Sequence, residues 1–283
     1  MATLPNPLPT LASSGLDLPP GALVDATMDG PWHEPLLWYA DGPAAAGVWA
    51  AMRTAGRPLG LLPVLVDGGP RGRWPQEWDL CPEITSYPGD HDAEDVLAGY
   101  WTDYADDEIG GAGGGGPAAR EGGDAEGADR DPGPWPGLAP VPHRTAGTDP
   151  DRTAAEIADL LADGHGDGSA GPRIALVPAR RSADIPAAIG WSGPLNHDND
   201  VARLCAVLRS WEDRYDLRVL MLGPDTMTVS VGRPPSTAEE ARALAAEHYA
   251  FCPDTIDQNP PYDLDAYAEK RLLGQEVWSF WWD

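Results

Sequence analysis

Apolar and polar positions alternate most clearly in the last third of the chain. Thr226–Val231 puts Met227, Val229 and Val231 on one side and Thr226, Thr228 and Ser230 on the other, which predicts a strand with one wet face. Leu217–Leu222 precedes it across Gly223-Pro224-Asp225, residues with turn chemistry, so the two form a hairpin. Upstream, Val201, Leu204, Cys205, Leu208, Trp211 and Tyr215 recur at spacings of three and four, one stripe of a helix that Asp198, Asn199 or Asp200 can cap. Downstream, Ser236-x-x-Glu239 overlaps Thr237-x-x-Glu240, two capping boxes. They open a helix with Ala241, Leu244, Ala245, His248 and Phe251/Cys252 facing inward, and Pro253 ends it. A short helix around 263–273 follows. The chain closes on Trp278, Phe280 and Trp282 at alternate positions, a strand with an aromatic face. With the buried strand Arg173–Pro178 in front, the order is β-α-β-β-α-β. The expected fold is therefore α+β, a ferredoxin-like antiparallel sheet with helices on one face.

Composition divides the rest. Residues 1–20 are Pro-rich and expected to be extended. Residues 21–107 have the aliphatic and aromatic content of a smaller α/β region. Residues 108–133 form a Gly/Ala/Asp/Pro tract too poor in large apolar groups to offset its ordering entropy, and read as a disordered acidic linker. Residues 134–283 form the C-terminal domain. Within the N-terminal region, Val48–Arg53 followed by Leu61–Val66 aligns without gaps on Leu204–Arg209 followed by Leu217–Leu222. Duplication and chance similarity between two helix–strand units both account for this.

Charge narrows the function classes. The 283 residues hold 19 basic and 45 acidic side chains, a formal net charge of −26. Such a chain repels phosphate backbones and anionic lipid, so no nucleic acid and no membrane is expected as partner, and a basic protein is favoured. Lys270 is the only lysine, which removes a Gly-Lys-Ser/Thr phosphate loop and leaves Lys270 alone for imine chemistry. Cys81, Cys205 and Cys252 are odd in number and widely spaced, as expected of reduced thiols in a cytoplasmic protein. The N-terminal stretch lacks the basic start and apolar run of a signal peptide.

Several runs in the C-terminal part are uncommon words in a fixed order. They are Gly190-Trp191-Ser192-Gly193, Asn196, Val207-Leu-Arg-Ser-Trp-Glu-Asp-Arg214, Val229-Ser-Val231, Arg233-Pro-Pro235, Ala246-Glu-His-Tyr-Ala-Phe-Cys-Pro-Asp254, Gln258, Tyr267-Ala268 and Trp278-x-Phe-Trp-Trp-Asp283. Together they resemble the bacterial domain-of-unknown-function family 4253 over roughly 172–283. The resemblance implies a fold and a motif set rather than an activity. Its association with small acidic domains of immunity type implies toxin neutralisation as one expectation.

Two chemistries can be built from these residues. In Glu247-His248-x-x-x-Cys252-x-Asp254, His248 and Cys252 are four apart on one helical face, so an imidazole can approach a thiol. That reading makes the chain a hydrolase or transferase, with Cys252 the nucleophile, His248 the base and Glu247 or Asp254 in support. The competing reading makes both residues core filling at a helix end. No second ligand pair lies at zinc spacing, so no metal and no cofactor is expected. The second chemistry is binding. Trp191, Asn196 and His197 form an aromatic and polar loop, which scaffolds often use for contact. Arg209 and Arg214 flank Trp211 and could anchor an acidic group, although Arg209 and Asp213 also make an ordinary i,i+4 surface pair. Of the 12 tryptophans, Trp281 and Trp78 are the ones expected at an interface. A non-catalytic binding protein is the leading expectation.

Overall fold

The computed structural model describes residues 5–110, 133–142, 149–163 and 171–283. Most of the Gly-rich tract expected to be a disordered linker lies outside the described residues.

The described residues hold nine strands: β1 (Gly21–Val24), β2 (Ala26–Thr27), β3 (Gly30–Pro31), β4 (Leu37–Ala40), β5 (Leu61–Val66), β6 (Arg173–Pro178), β7 (Leu217–Leu222), β8 (Thr226–Val231) and β9 (Val277–Trp281). β2 and β3 make a separate two-stranded ribbon, and the other seven form one sheet in the order β1-β4-β6-β5-β7-β8-β9. All neighbours are antiparallel except β5 and β7. The helices are α1 (Val48–Gly56), α2 (Ala93–Gly110), α3 (Pro150–Asp163), α4 (Ile185–Ile189), α5 (Val201–Tyr215), α6 (Ala238–Phe251), α7 (Asp254–Asp257) and α8 (Leu264–Tyr267). A π-helical turn at Ala268–Leu272 continues α8.

The fold is α+β with a large, mostly antiparallel sheet, and the order of elements from β6 to β9 is the expected one. The sheet order is not that of a ferredoxin-like sandwich. There the first and last strands would be neighbours; here β9 pairs with β8 at the edge, and β5 stands between β6 and β7. The physical reason lies in β5. All six of its residues are buried, so it needs cover on both faces and a strand on each side, and only a central position supplies these. The sheet thus draws strands from both the 21–107 region and the C-terminal part.

Helices cover both faces, not one. The larger core joins Leu62, Val64, Val177, Val219, Val229 and Phe280 of the sheet to α2, α5 and α6. The smaller core joins Trp38, Leu61, Leu65, Leu176 and Leu220 to α1 and α3. It also takes in Leu8 and Leu11 of a 3-10 helix at Leu8–Ser13, in the segment expected to be extended. Because α3 lies over the hairpin, the face expected to be wet is largely closed: Thr228 and Ser230 are buried. Arg218 fixes that helix, donating from Nε to Asp151 Oδ1 at 2.7 Å, where Arg53 of α1 also binds.

The two similar helix–strand units have a defined relation. β5 and β7 run parallel side by side, and Leu65 pairs with Met221 and Val66 with Leu222, the same residues that the gap-free alignment matches. Their helices, α1 and α5, lie on opposite faces.

Candidate functional site

α6 opens at the second of the two capping boxes, with Thr237 Oγ1 accepting from the Glu240 backbone and Glu240 reaching back to Thr237. From this start Glu247, His248, Phe251 and Cys252 turn toward the sheet. His248 is 1% exposed, and its ring lies among Trp211, Trp278 and Phe280 with centroids 4.6–5.0 Å away. Its Nδ1 is 3.1 Å from the Tyr267 hydroxyl, and among the described residues Nε2 has no hydrogen-bond partner. Burial, with the Arg214 cation adding to it, pushes its pKa down to about 3, so the ring is neutral at physiological pH.

Cys252 is fully buried at the C-cap of α6. Its Sγ donates to the Trp281 carbonyl at 3.0 Å and lies 3.1 Å from Thr255 Oγ1. Burial pushes the thiol up to about 12. No hydrogen bond joins its sulfur to the His248 ring. The pair at helical spacing therefore shares a core without forming a nucleophile–base couple.

Glu247 was expected to support that couple, and it serves a different network. Its carboxylate, 0% exposed, accepts from the Ala139 backbone at 2.7 Å and from Trp211 Nε1 at 2.8 Å. Arg214 donates to both carboxylate oxygens, to Oε1 at 2.8 Å and also to Oε2. Arg214 further donates to the Ala139 carbonyl and to Ser210 Oγ, each at 3.0 Å. Burial opposes the guanidinium charge, but Glu247 outweighs it and holds the Arg214 pKa above its usual value. A bidentate buried pair of this kind ties α5, α6 and the segment at Ala139 together. The sequence signal was present: Arg214 lies three residues after Trp211, beside the apolar stripe. Its partner on another helix was not visible.

The remaining candidates fall into two groups. Trp191, Asn196, Asp254 and Trp281 gather around the end of β9. Trp191 is not a surface ring: it is 1% exposed, donates from Nε1 to the Gly223 carbonyl at 2.9 Å, and meets Trp282 edge-on at 5.6 Å. Asn196 is exposed and donates to the Asp283 carbonyl at 2.6 Å, while Asp254 accepts from the Asp283 backbone at 3.1 Å. Trp281 is partly exposed, and its N–H donates to Thr255 Oγ1 at 3.2 Å. His197, Arg209 and Arg214 lie elsewhere. His197 packs on Tyr100 at 4.4 Å, and burial lowers its pKa. Arg209 pairs with Asp184 through two bonds at 2.5 and 2.8 Å and stacks over Tyr87, not with Asp213, which binds Arg181. Trp78, expected at an interface, is buried, its indole donating to the Arg73 carbonyl at 2.8 Å.

A cleft of about 480 Å³ lies over the face of β9 that carries Val277, Ser279 and Trp281; Met221, Thr226 and Thr228 of β7 and β8 line it together with Asp67, Thr255, Asn259, Pro260, Tyr267 and Arg271. Among the described residues no group of three or more His, Cys, Asp or Glu side chains is placed to hold a metal ion. No described helix is long and apolar enough to cross a membrane.

This arrangement of helix, hairpin and aromatic terminal strand falls within a known family model. Residues 173–283 match the domain of unknown function DUF4253. The matched stretch begins at β6, so it holds α5, α6, β9 and the whole Cys252 and His248 environment, while β1, β4 and β5 of the same sheet lie outside it. No curated protein and no solved structure matches the chain.

Proposed function

We propose that the protein is a non-catalytic binding protein that recognises a basic partner, with neutralisation of a toxin as the most specific form of that role. The observation carrying this reading is the sealed position of His248 and Cys252. A hydrolase or transferase built on them needs a thiolate in reach of substrate at neutral pH. A thiol at about 12 is ionised to roughly one part in 10⁵ at pH 7, and a ring at about 3 is a poor base there. Glu247 and Asp254, the supporting carboxylates of the enzyme reading, are engaged by Arg214 and by the Gln258 amide and the Asp283 backbone respectively. The net charge of −26 favours encounter with a cationic surface. Three buried, unpaired thiols suit a reducing compartment, so a cytoplasmic location belongs to the same proposal.

Alkylation of the folded protein with iodoacetamide at neutral pH, read by peptide mapping, tests this. Cys252 stays unmodified until denaturant is added. Rapid modification of Cys252 in the folded state would sink the reading in favour of the enzyme.

A further inference from the structure

β9 is the outermost strand beyond β8, and its hydrogen-bonding parity is fixed by its neighbours. Trp282 N–H donates inward to the Asp225 carbonyl, and the Glu276 carbonyl accepts inward from Val231. Trp281 points the other way, its N–H to Thr255 and its carbonyl to the Cys252 thiol. Backbone groups alternate along a strand, so Val277 and Ser279 share the outward direction of Trp281. The Trp281 end of the edge is thus closed by two side chains of the chain itself. Among the described residues no protein group takes the outward N–H and C=O of Val277 and Ser279; both residues are exposed and line the cleft described above.

An open row of strand donors and acceptors selects an extended backbone as its complement. Charge then selects among extended chains. The segment that builds β9 and most of the cleft lining, residues 254–283, carries seven carboxylates against Lys270 and Arg271. Two copies of a chain at −26 repel each other, which disfavours pairing of β9 with its own duplicate. We propose that the free edge of β9 at Val277 and Ser279 docks an extended, lysine- or arginine-rich segment of a partner protein, which adds there as a further strand. The proposal rests on the binding reading and names its site and the form of its partner. Main-chain bonds to β9 hold the segment, and the excess of carboxylates in residues 254–283 favours basic side chains along it.

Ser279→Pro isolates the claim, because it removes an outward N–H while leaving the inward ladder to β8 intact, and edge strands tolerate proline. Val277→Pro, at the first residue of the strand, does the same should Ser279→Pro fail to fold. The full chain is titrated with a fluorescent (Lys-Val)₄ peptide, with its fully N-methylated form and with (Glu-Val)₄, alongside thermal melts and sedimentation. The expected result is binding of (Lys-Val)₄ that weakens at least tenfold on N-methylation and in a proline variant of unchanged melting temperature. (Glu-Val)₄ does not bind. Equal binding by wild type and a folded proline variant overturns the edge site while the binding reading stands. A concentration-dependent dimer abolished by the proline assigns the edge to a second copy and overturns the basic partner. Absence of (Lys-Val)₄ binding overturns the proposal too, whereas fast alkylation of Cys252 instead removes the reading beneath it.

Discussion

Glu247→Gln perturbs the most buried carboxylate among the described residues. In the native chain that carboxylate receives four donors: Ala139 N–H, Trp211 Nε1 and both Arg214 terminal nitrogens. Glutamine leaves one acceptor oxygen and turns an NH₂ toward the remaining donors. The Arg214 cation, whose side chain is 11% exposed, is then left without a counter-charge. Removing one partner of a buried ion pair typically costs about 3–5 kcal/mol. For a chain of this size, roughly 2–4 °C per kcal/mol, the melting temperature falls by about 6–20 °C. Urea titration followed by tryptophan fluorescence measures the loss, with an unchanged m value showing that the native state stays compact. The double variant Glu247→Met/Arg214→Met should regain at least ~1 kcal/mol of it, because no uncompensated charge remains buried. Recovery is incomplete, since the Ala139 and Trp211 N–H groups still lack acceptors. A single variant costing under ~1 kcal/mol, or a double variant less stable than the single, would refute this account of the network.

Two further outcomes follow from the same core. His248 takes a proton near 6.5 in an unfolded chain and only near 3 when folded, so the unfolded state binds more protons between these values. Stability is therefore complete above pH 6.5 and falls as pH drops toward 3, by up to about 1.4 kcal/mol per unit and about 4–5 kcal/mol in all; urea melts across pH 4–7 should show this slope in wild type and lose that share of it in His248→Phe. Gly190 has φ of 63°, and a Cβ there would lie 2.3 Å from Pro82 N and 2.5 Å from the Cys81 carbonyl carbon, while its own carbonyl accepts from Cys81 N–H. Gly190→Ala should cost at least ~2 kcal/mol, from the left-handed conformation and from the displaced backbone; a loss below ~0.5 kcal/mol in the same melts would contradict that packing.

What the sequence made legible was local. The β7–β8 hairpin, the α5 stripe from Val201 to Tyr215 and the capped start of α6 follow from periodicity and turn chemistry within a few residues. The aromatic alternation at Trp278, Phe280 and Trp282 likewise told which face of β9 is buried. Long-range pairing left no such trace. Leu37–Ala40 is a strand of four buried residues with no alternation, and nothing local in Leu61–Val66 says that it separates β6 from β7. Ion pairs behaved in the same way. Arg209 and Asp213 have the spacing of a pair, but each bonds to a residue near β6's far end, Asp184 and Arg181, because α5 turns that face toward the segment after β6. The loop around Trp191 shows a related limit: aromatic and polar composition suits both a contact surface and a lid on the core, and the indole bond to Gly223 makes it a lid.

The His248 imidazole and the Cys252 thiol, four residues apart at the end of α6, are both sealed in the core. The direct measurement is NMR of the folded chain from pH 5 to 9, following the ring shifts of His248 and the ¹³Cβ shift of Cys252 together. Both should stay flat across the range, as expected for groups held at about 3 and about 12. A midpoint between 6 and 8 in either signal would contradict it.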